Sequence, residues 1–565
     1  MQKFNDLPYK RPSLSESRKL ISESKKMLRR AGNASDAQAA YLKFSEVITE
    51  PYTAQTIAHI RSTINMSDAF YAKELRSCGL TLAFIMVSAA RATKAFLKSP
   101  FRSDIEERFG QQTFRYREAL FKTNGLKAAG ESRKEGALVA KYKKLAASCS
   151  VELGGEVCGY YDLLKYMQSG DRGERRSAFL ALAGFFESAA PEMDAIYDEL
   201  VKTRVKKAEK LGYKSYIDYA YASKMRFDYT PGDTAKFREQ IRRHIVPVYK
   251  EIVEMKRKKL GLESYSFYDE AVYYKEGNPK LVVDTDGVVD LTGKMFREMS
   301  PETHEFFDFM TEHELFDLEP RPDKQLGGYA LFLLKYKAPF IFSNFNGTCD
   351  DVFTMTHEGG HAFQTYYASR RQDLAEYVAS TSEINEIHAM AMELFSYPWM
   401  ELFFGGEAED YRVMHLAKRL YSMLYHMCVD EFQEQVFSDP GMTAEQRRSV
   451  WRQVERKYAP WCDYDGNEHF ESGASWMLHQ HIYISPFYII EYSLAQVCAY
   501  QYYLRSLEDR DSAWADYLRL CAAGGSMGYF ELLRQGNLKN PFDDGVVEEV
   551  AGAVKALLDK AWRDI

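Results

Sequence analysis

A predominantly helical fold is predicted by three observations. Apolar residues recur at three- and four-residue spacing, with charges between them, through most of the chain. Strand-like composition is confined to the centre, and no internal repeat or low-complexity tract interrupts the pattern. With 46% hydrophobic and 27% charged residues over 565 positions, the chain has the composition of a globular protein able to bury a large core.

Taken in order, Ser17 to Gly32 ("SRKLISESKKMLRRAG") reads as an amphipathic helix. Leu80 to Ala90 ("LTLAFIMVSAA") is too short to span a bilayer and reads as a buried helix. Asp233 to Gly261 continues the helical period, and its run Lys256, Arg257, Lys258, Lys259 reads as a solvated face. Lys280 to Leu291 ("KLVVDTDGVVDL") is strand-like. Leu326 to Thr348, with Gly, Pro and Asn punctuating aromatic and aliphatic residues, predicts two strands or a strand and a loop. Helical spacing returns afterwards and lasts to Val547–Ile565. The Gly-rich Val151 to Asp162 and the region near Leu211 are the candidate lobe boundaries, giving an N-terminal helical lobe over 1–200 and a second region over 201–565.

A formal net charge of -7 argues against a nucleic-acid partner, which needs a concentrated basic face. No membrane partner is expected. The N-terminus lacks an apolar segment with a cleavage site, so a cytoplasmic location is expected. The eight cysteines show no CxxC pair and are expected to be free, mostly buried thiols.

The chemistry is concentrated in "THEGGHAFQ", residues 356 to 364. On a helix, His357 and His361 lie about 40 degrees apart on one face, a spacing that suits two imidazoles on one tetrahedral zinc. Glu358 lies about 80 degrees to one side, where a carboxylate can take a proton from water beside the metal without becoming a ligand. The competing reading is a packed helix with ordinary surface histidines. Gly359 and Gly360 each cost a helix about 1 kcal/mol relative to alanine. Their missing side chains would let another helix approach closely, and that helix should carry the remaining ligand. Gln364 and Tyr367 occupy the positions of the metzincin Gly and third His, so a downstream carboxylate is required.

"STSEINEIHAMAMELF" (380–395) offers one: Glu383, Glu386 and Glu393 share a helical face, an expensive place for three acids unless a cation or a water-filled cleft meets them. Glu386 is central, and apolar neighbours weaken the alternative of a solvated acid. Glu383 or Glu393 would then orient a ligand histidine through its other ring nitrogen. His388, on the opposite side, reads as a hydrogen-bonded structural histidine. Further on, Ser485 and Pro486 read as the N-cap and first residue of a helix that would place Tyr488 and Tyr492 one turn apart.

"PFIFSNFNGTCDDVFTMTHEGGHAFQ" (Pro339 to Gln364), followed by "EINEIHAMAMELF", resembles the oligoendopeptidase F branch of the thimet oligopeptidase family of zinc metallopeptidases. The resemblance continues through "HQHIYISPFYIIEYSLAQ" and "GGSMGYFELL", and more loosely back to the N-terminal "YKRP". It implies a third ligand 25 residues after the second histidine, which here is Glu386. It also implies one zinc per chain on His357, His361 and Glu386, with Glu358 as the base. Tyrosine hydroxyls and a histidine would stabilise the oxyanion, in the order Tyr492, Tyr488, His481, with His479 as a competitor.

The implied architecture is two helical lobes flanking a deep substrate channel, with a small β-sheet beside the zinc-binding helix and the 201–565 region contributing to both walls. The implied activity is hydrolysis of short unfolded oligopeptides, with "APFIFSNFNG" as the strand edge for the substrate backbone. Two other readings stay open: a noncatalytic peptide-binding protein with a structural zinc, and a zinc aminopeptidase.

Overall fold

The computed structural model describes residues 1–563 and is mainly helical, with small sheets only. Local chemistry accounts for where the helices begin. Ser13 caps Leu14–Arg30 by accepting from the Glu16 amide, and Thr230 with Asp233 forms a reciprocal cap on Pro231–Lys259, whose first residue is a proline. The helix near the C-terminus runs over Val546–Arg563, and Asp564 and Ile565 lie outside the described residues. All eight cysteines are free, and all but Cys462 are buried.

Two sheets are present among the described residues. β1 (Ser150–Leu153) and β2 (Glu156–Gly159) form a hairpin around Gly154 and Gly155. β3 (Phe316–Asp317), β4 (Tyr329–Leu333) and β5 (Ala338–Phe342) form the second, in the order β3-β5-β4. The span 326–348 therefore holds two antiparallel strands, with β5 entirely buried and β4 mostly half-buried. β5 is central, so it is not the edge expected from "APFIFSNFNG"; the outer strands are β3 and β4, and β4 is the one that packs along the helix that follows β5.

Three local expectations are overturned. Lys280–Leu291 is not a strand: Asp284 accepts from the Gly287 amide and starts helix α1 (Thr285–Met299), which buries Val288, Thr292, Met295 and Phe296 at helical spacing. The paired valines had suggested a strand, and the cap prevailed. Lys256 is not solvated but buried, its Nζ donating to the carbonyl (2.6 Å) and carboxylate (3.1 Å) of Glu270. The apolar run 80–90 lies on the long helix Ala69–Leu97, but only one side of it is covered. Ile85 and Ala89 are buried, whereas Leu80, Phe84, Met86 and Val87 are exposed.

The described residues form two compact units, one of residues 1–121, 280–408 and 498–539, the other of 122–279, 409–497 and 540–563. Residues 200 and 201, where the sequence suggested a boundary, lie inside one helix, Arg172–Lys210. In the first unit, helices 14–30, 34–45, 49–64 and 69–97 pack on one another, and 49–64 packs on β4, where Thr63 and the Tyr329 hydroxyl are 2.6 Å apart. The N-terminal segment is fastened to the same group: Tyr9 and Arg11 both bond the Glu74 carboxylate. The Arg11 guanidinium holds that buried acid down at about 2.

Candidate active site

Helix α2 (Cys349–Ala368) carries the HExxH residues. Its start is fixed by Thr348, which accepts from the Asp350 amide, and by Asp351, whose carboxylate accepts from the amides of Asn346 and Gly347 and folds the preceding loop against the first turn. β4 and β5 pack along α2, as does α3 (Ser382–Phe395). The chain entering α3 is seated by Gly524 and Gly525. A Cβ on Gly524 would meet the Tyr377 carbonyl at 1.9 Å, and the Gly525 amide donates to that carbonyl at 3.0 Å.

Gly360 sets the distance between α2 and α3. A Cβ there would lie 2.7 Å from Ala389 Cα and 2.8 Å from the His388 carbonyl, both backbone atoms of α3. Gly359 faces α1 instead, where a Cβ would meet the tip of Phe296 at 3.0 Å. The two substitutions are expected to differ. Gly359→Ala asks one ring to yield, whereas Gly360→Ala pushes the helix backbone, an overpacking of about 1–3 kcal/mol that exceeds the gain of about 1 kcal/mol in helix propensity. Gly360→Ala should therefore lower both unfolding stability and metal affinity, and Gly359→Ala should leave metal affinity near that of the parent. Urea titration and metal competition measure the two effects.

The close approach brings Glu386 Oε2 to 3.4 Å from His357 Nε2 and 3.6 Å from His361 Nε2. The three donor atoms lie within 4.8 Å of one another. A tetrahedral zinc with bonds of about 2.0–2.1 Å has ligand atoms about 3.3 Å apart, so this donor set fits the ion in both chemistry and spacing. Glu393 Oε1 lies 2.6 Å from His357 Nδ1 and holds the ring with Nε2 towards the other two donors. Of the two acids expected in that role, Glu393 fills it for His357. Burial works against ionising Glu386, but the imidazoles of His361 and His357 beside it prevail and hold it well below the usual carboxylate range.

Glu358 is not among the converging donors. Burial pushes its carboxyl up, against the pull of both imidazoles and of a bond from the Ala330 backbone on β4. An acid so placed has the raised proton affinity that a general base uses. His388 is fully buried and edge-on to Tyr517, and burial pulls it down to about 3; among the described residues, neither ring nitrogen makes the hydrogen bond that the sequence suggested.

The expected tyrosines lie in the second unit. Ser485 does not cap a long helix: it ends the short helix Gln480–Ile484, and Phe487 adopts a left-handed backbone (φ 60) that interrupts the chain before α4 (Ile490–Glu508) begins. Tyr488 is thus outside α4 and Tyr492 inside it. Their hydroxyls are nevertheless 3.1 Å apart. The His481 ring stacks on Tyr488 at 5.8 Å, and Lys224 Nζ lies 4.9 Å from the centre of the Tyr488 ring. His426, which no motif had singled out, lies 5.7 Å from the Tyr492 ring and 2.9 Å from the Ser493 hydroxyl. His479 packs between Trp451 and Tyr425, where burial pulls it down to about 3.

Two imidazoles one turn apart, a carboxylate from the next helix and a second, uncoordinating glutamate form the arrangement a metallopeptidase requires. The sequence matches peptidase family M3 over residues 165–552 and the peptidase M3 N-terminal domain over residues 4–124. The chain belongs to peptidase family M3.

Among solved structures, it is similar to PZ peptidase A, solved with an inhibitor, at 39% identity over 99% of both chains with a TM-score of 0.93. It is also similar to a structure described as an oligoendopeptidase F of Bacillus anthracis strain Ames, at 35% identity over 99% of this chain and 98% of that one, with a TM-score of 0.88. An oligoendopeptidase F homolog of Lactococcus lactis subsp. lactis is 23% identical over 65% of this chain, an alignment spanning 60% of the lactococcal protein.

Proposed function

We propose that the protein is a zinc-dependent endopeptidase acting on short, unfolded oligopeptides. The observation that carries this reading is the convergence of His357, His361 and Glu386 with Glu358 left beside them as a non-ligand. Bound to those three residues, zinc would supply Lewis-acid polarisation of the scissile carbonyl and of the attacking water. The chain's own residues do the rest. Glu393 fixes the His357 ring, and the backbone edge of β4 runs beside α2, where it offers pairing to an extended peptide. Glu358 accepts the proton of the attacking water on its carboxylate and returns it to the amine nitrogen as the C–N bond breaks. Tyr492, with Tyr488 and His481, is assigned to the oxyanion.

Turnover of a quenched peptide blocked at both ends tests the reading, with and without a chelator and alongside metal analysis. Activity on the blocked peptide, one zinc per chain and loss of both on chelation are the expected results. Hydrolysis of free N-termini only would favour an aminopeptidase, and binding without turnover a noncatalytic peptide-binding protein. Blocked peptides of about 5 to 20 residues, bounded by roughly 3.3 Å per extended residue, should be cut while folded proteins are spared. Rapid digestion of a folded protein would contradict the size limit.

A further inference from the structure

The outer face of helix Ala69–Leu97 is independent of the candidate active site. Its inner face buries Glu74, Cys78, Ile85, Ala89, Ala92 and Phe96 against the helices at 14–30 and 49–64. Roughly opposite, at helical spacing, stand Lys73, Arg76, Leu80, Phe84, Val87, Arg91 and Lys94. Leu80 is 66% exposed, Phe84 57% and Val87 37%, with Met86 beside them at 38%. The stripe is thus apolar in the middle and cationic at both ends. The only acid on the helix, Glu74, is on the inner face and bonded to Arg11 and Tyr9.

The surroundings share the charge. Residues 1–102 carry 17 Lys and Arg against 8 Asp and Glu, in a chain that carries 74 against 81 overall. The helix packed alongside, Leu14–Arg30, exposes Arg18, Lys19, Lys26, Arg29 and Arg30. A hydrophobic helix with one buried side cannot cross a membrane, but a helix already anchored in a fold can rest its other side on one.

We propose that this face is a docking surface for an anionic lipid bilayer. Leu80, Phe84 and Val87 enter the headgroup and upper acyl region, and Lys73, Arg76, Arg91 and Lys94 lie at phosphate level. Charge decides between occupants. A second copy laid on this face, parallel or antiparallel, would set cations against cations. The sequence argued against a membrane because the apolar run is too short to span one, a limit that does not bear on a helix lying in the interface.

The test is flotation of the full-length protein with phosphatidylcholine vesicles, with and without phosphatidylglycerol, at low and high salt. Binding is expected only with phosphatidylglycerol, weakened by salt. It should fall about fivefold for each of Lys73→Gln and Arg91→Gln and be abolished in Leu80→Glu/Phe84→Glu. Blocked-peptide turnover and thermal unfolding of these variants should match the parent, because the altered side chains are exposed. No flotation with phosphatidylglycerol at low salt overturns the proposal. So does a dimer in light scattering that Leu80→Glu/Phe84→Glu dissolves, or saturable binding of an acidic peptide without vesicle binding. The result is separate from the peptidase reading, since an inactive protein could still float and an active one could fail to.

Discussion

Glu358→Gln is expected to leave metal content and peptide binding intact while turnover of a blocked peptide falls by about two to four orders of magnitude. The amide is nearly the size of the carboxylate, and Glu358 is not among the converging donors, so none of the three is disturbed. What would disappear, on the proposed mechanism, is the group that accepts a proton from water and delivers it to the leaving nitrogen. Burial raises the Glu358 carboxyl, and an amide in the same place has no comparable basicity. Metal analysis, calorimetric binding of a non-cleaved peptide and steady-state kinetics separate the three quantities. A variant that keeps more than about a tenth of parental turnover places the base elsewhere, because positioned general bases contribute more than that.

The second large effect is of the opposite kind. Glu386→Gln replaces an anionic donor by a weak neutral one, so metal affinity itself should fall by more than the 10–100-fold typical of losing an outer partner, and activity should partly return as zinc is added. Glu393→Gln, which removes the acid 2.6 Å from His357 Nδ1, should weaken metal binding by about 10–100-fold. The expected order of metal loss is Glu386, then Glu393, then Glu383. If Glu386→Gln holds zinc as tightly as the parent while Glu383→Gln or Glu393→Gln releases it, the third ligand is misassigned.

The candidate metal-site residues could be named from the sequence because they depend on helical spacing, which short-range sequence records. The two histidines one turn apart and the acids of α3 on one face needed only the period of a helix, and the glycine pair correctly implied a partner helix. Which glycine admitted that partner was not legible, since it depends on Ala389 and His388 meeting Gly360 in space. The failures share a cause. In Lys280–Leu291 the β-branched residues outvoted the Asp284 cap, and at Ser485–Pro486 a helix-start pattern was interrupted by the left-handed Phe487, which no local propensity announces. Strand order put β5 rather than β4 in the middle of its sheet, and pairing order is a long-range property. His426 stands near Tyr492 only because two helices distant in sequence meet, so no spacing could have indicated it.

The interleaving of the two units bears on synthesis and truncation. The unit that carries the HExxH helix draws its last segment from residues 498–539, and the helix Arg510–Ala523 packs against α2. The same segment supplies Gly524 and Gly525 beneath the entry to α3, and the Tyr517 hydroxyl that donates to the His388 carbonyl. A nascent chain that has emerged only as far as α3 therefore holds His357, His361 and Glu386, the candidate metal donors, but lacks the later segment that packs on α2 and beneath the entry to α3. Ribosome-stalled or proteolytically shortened chains ending before residue 498 should accumulate as metal-poor, inactive fragments, and the peptidase should mature only after its C-terminal segment has been translated.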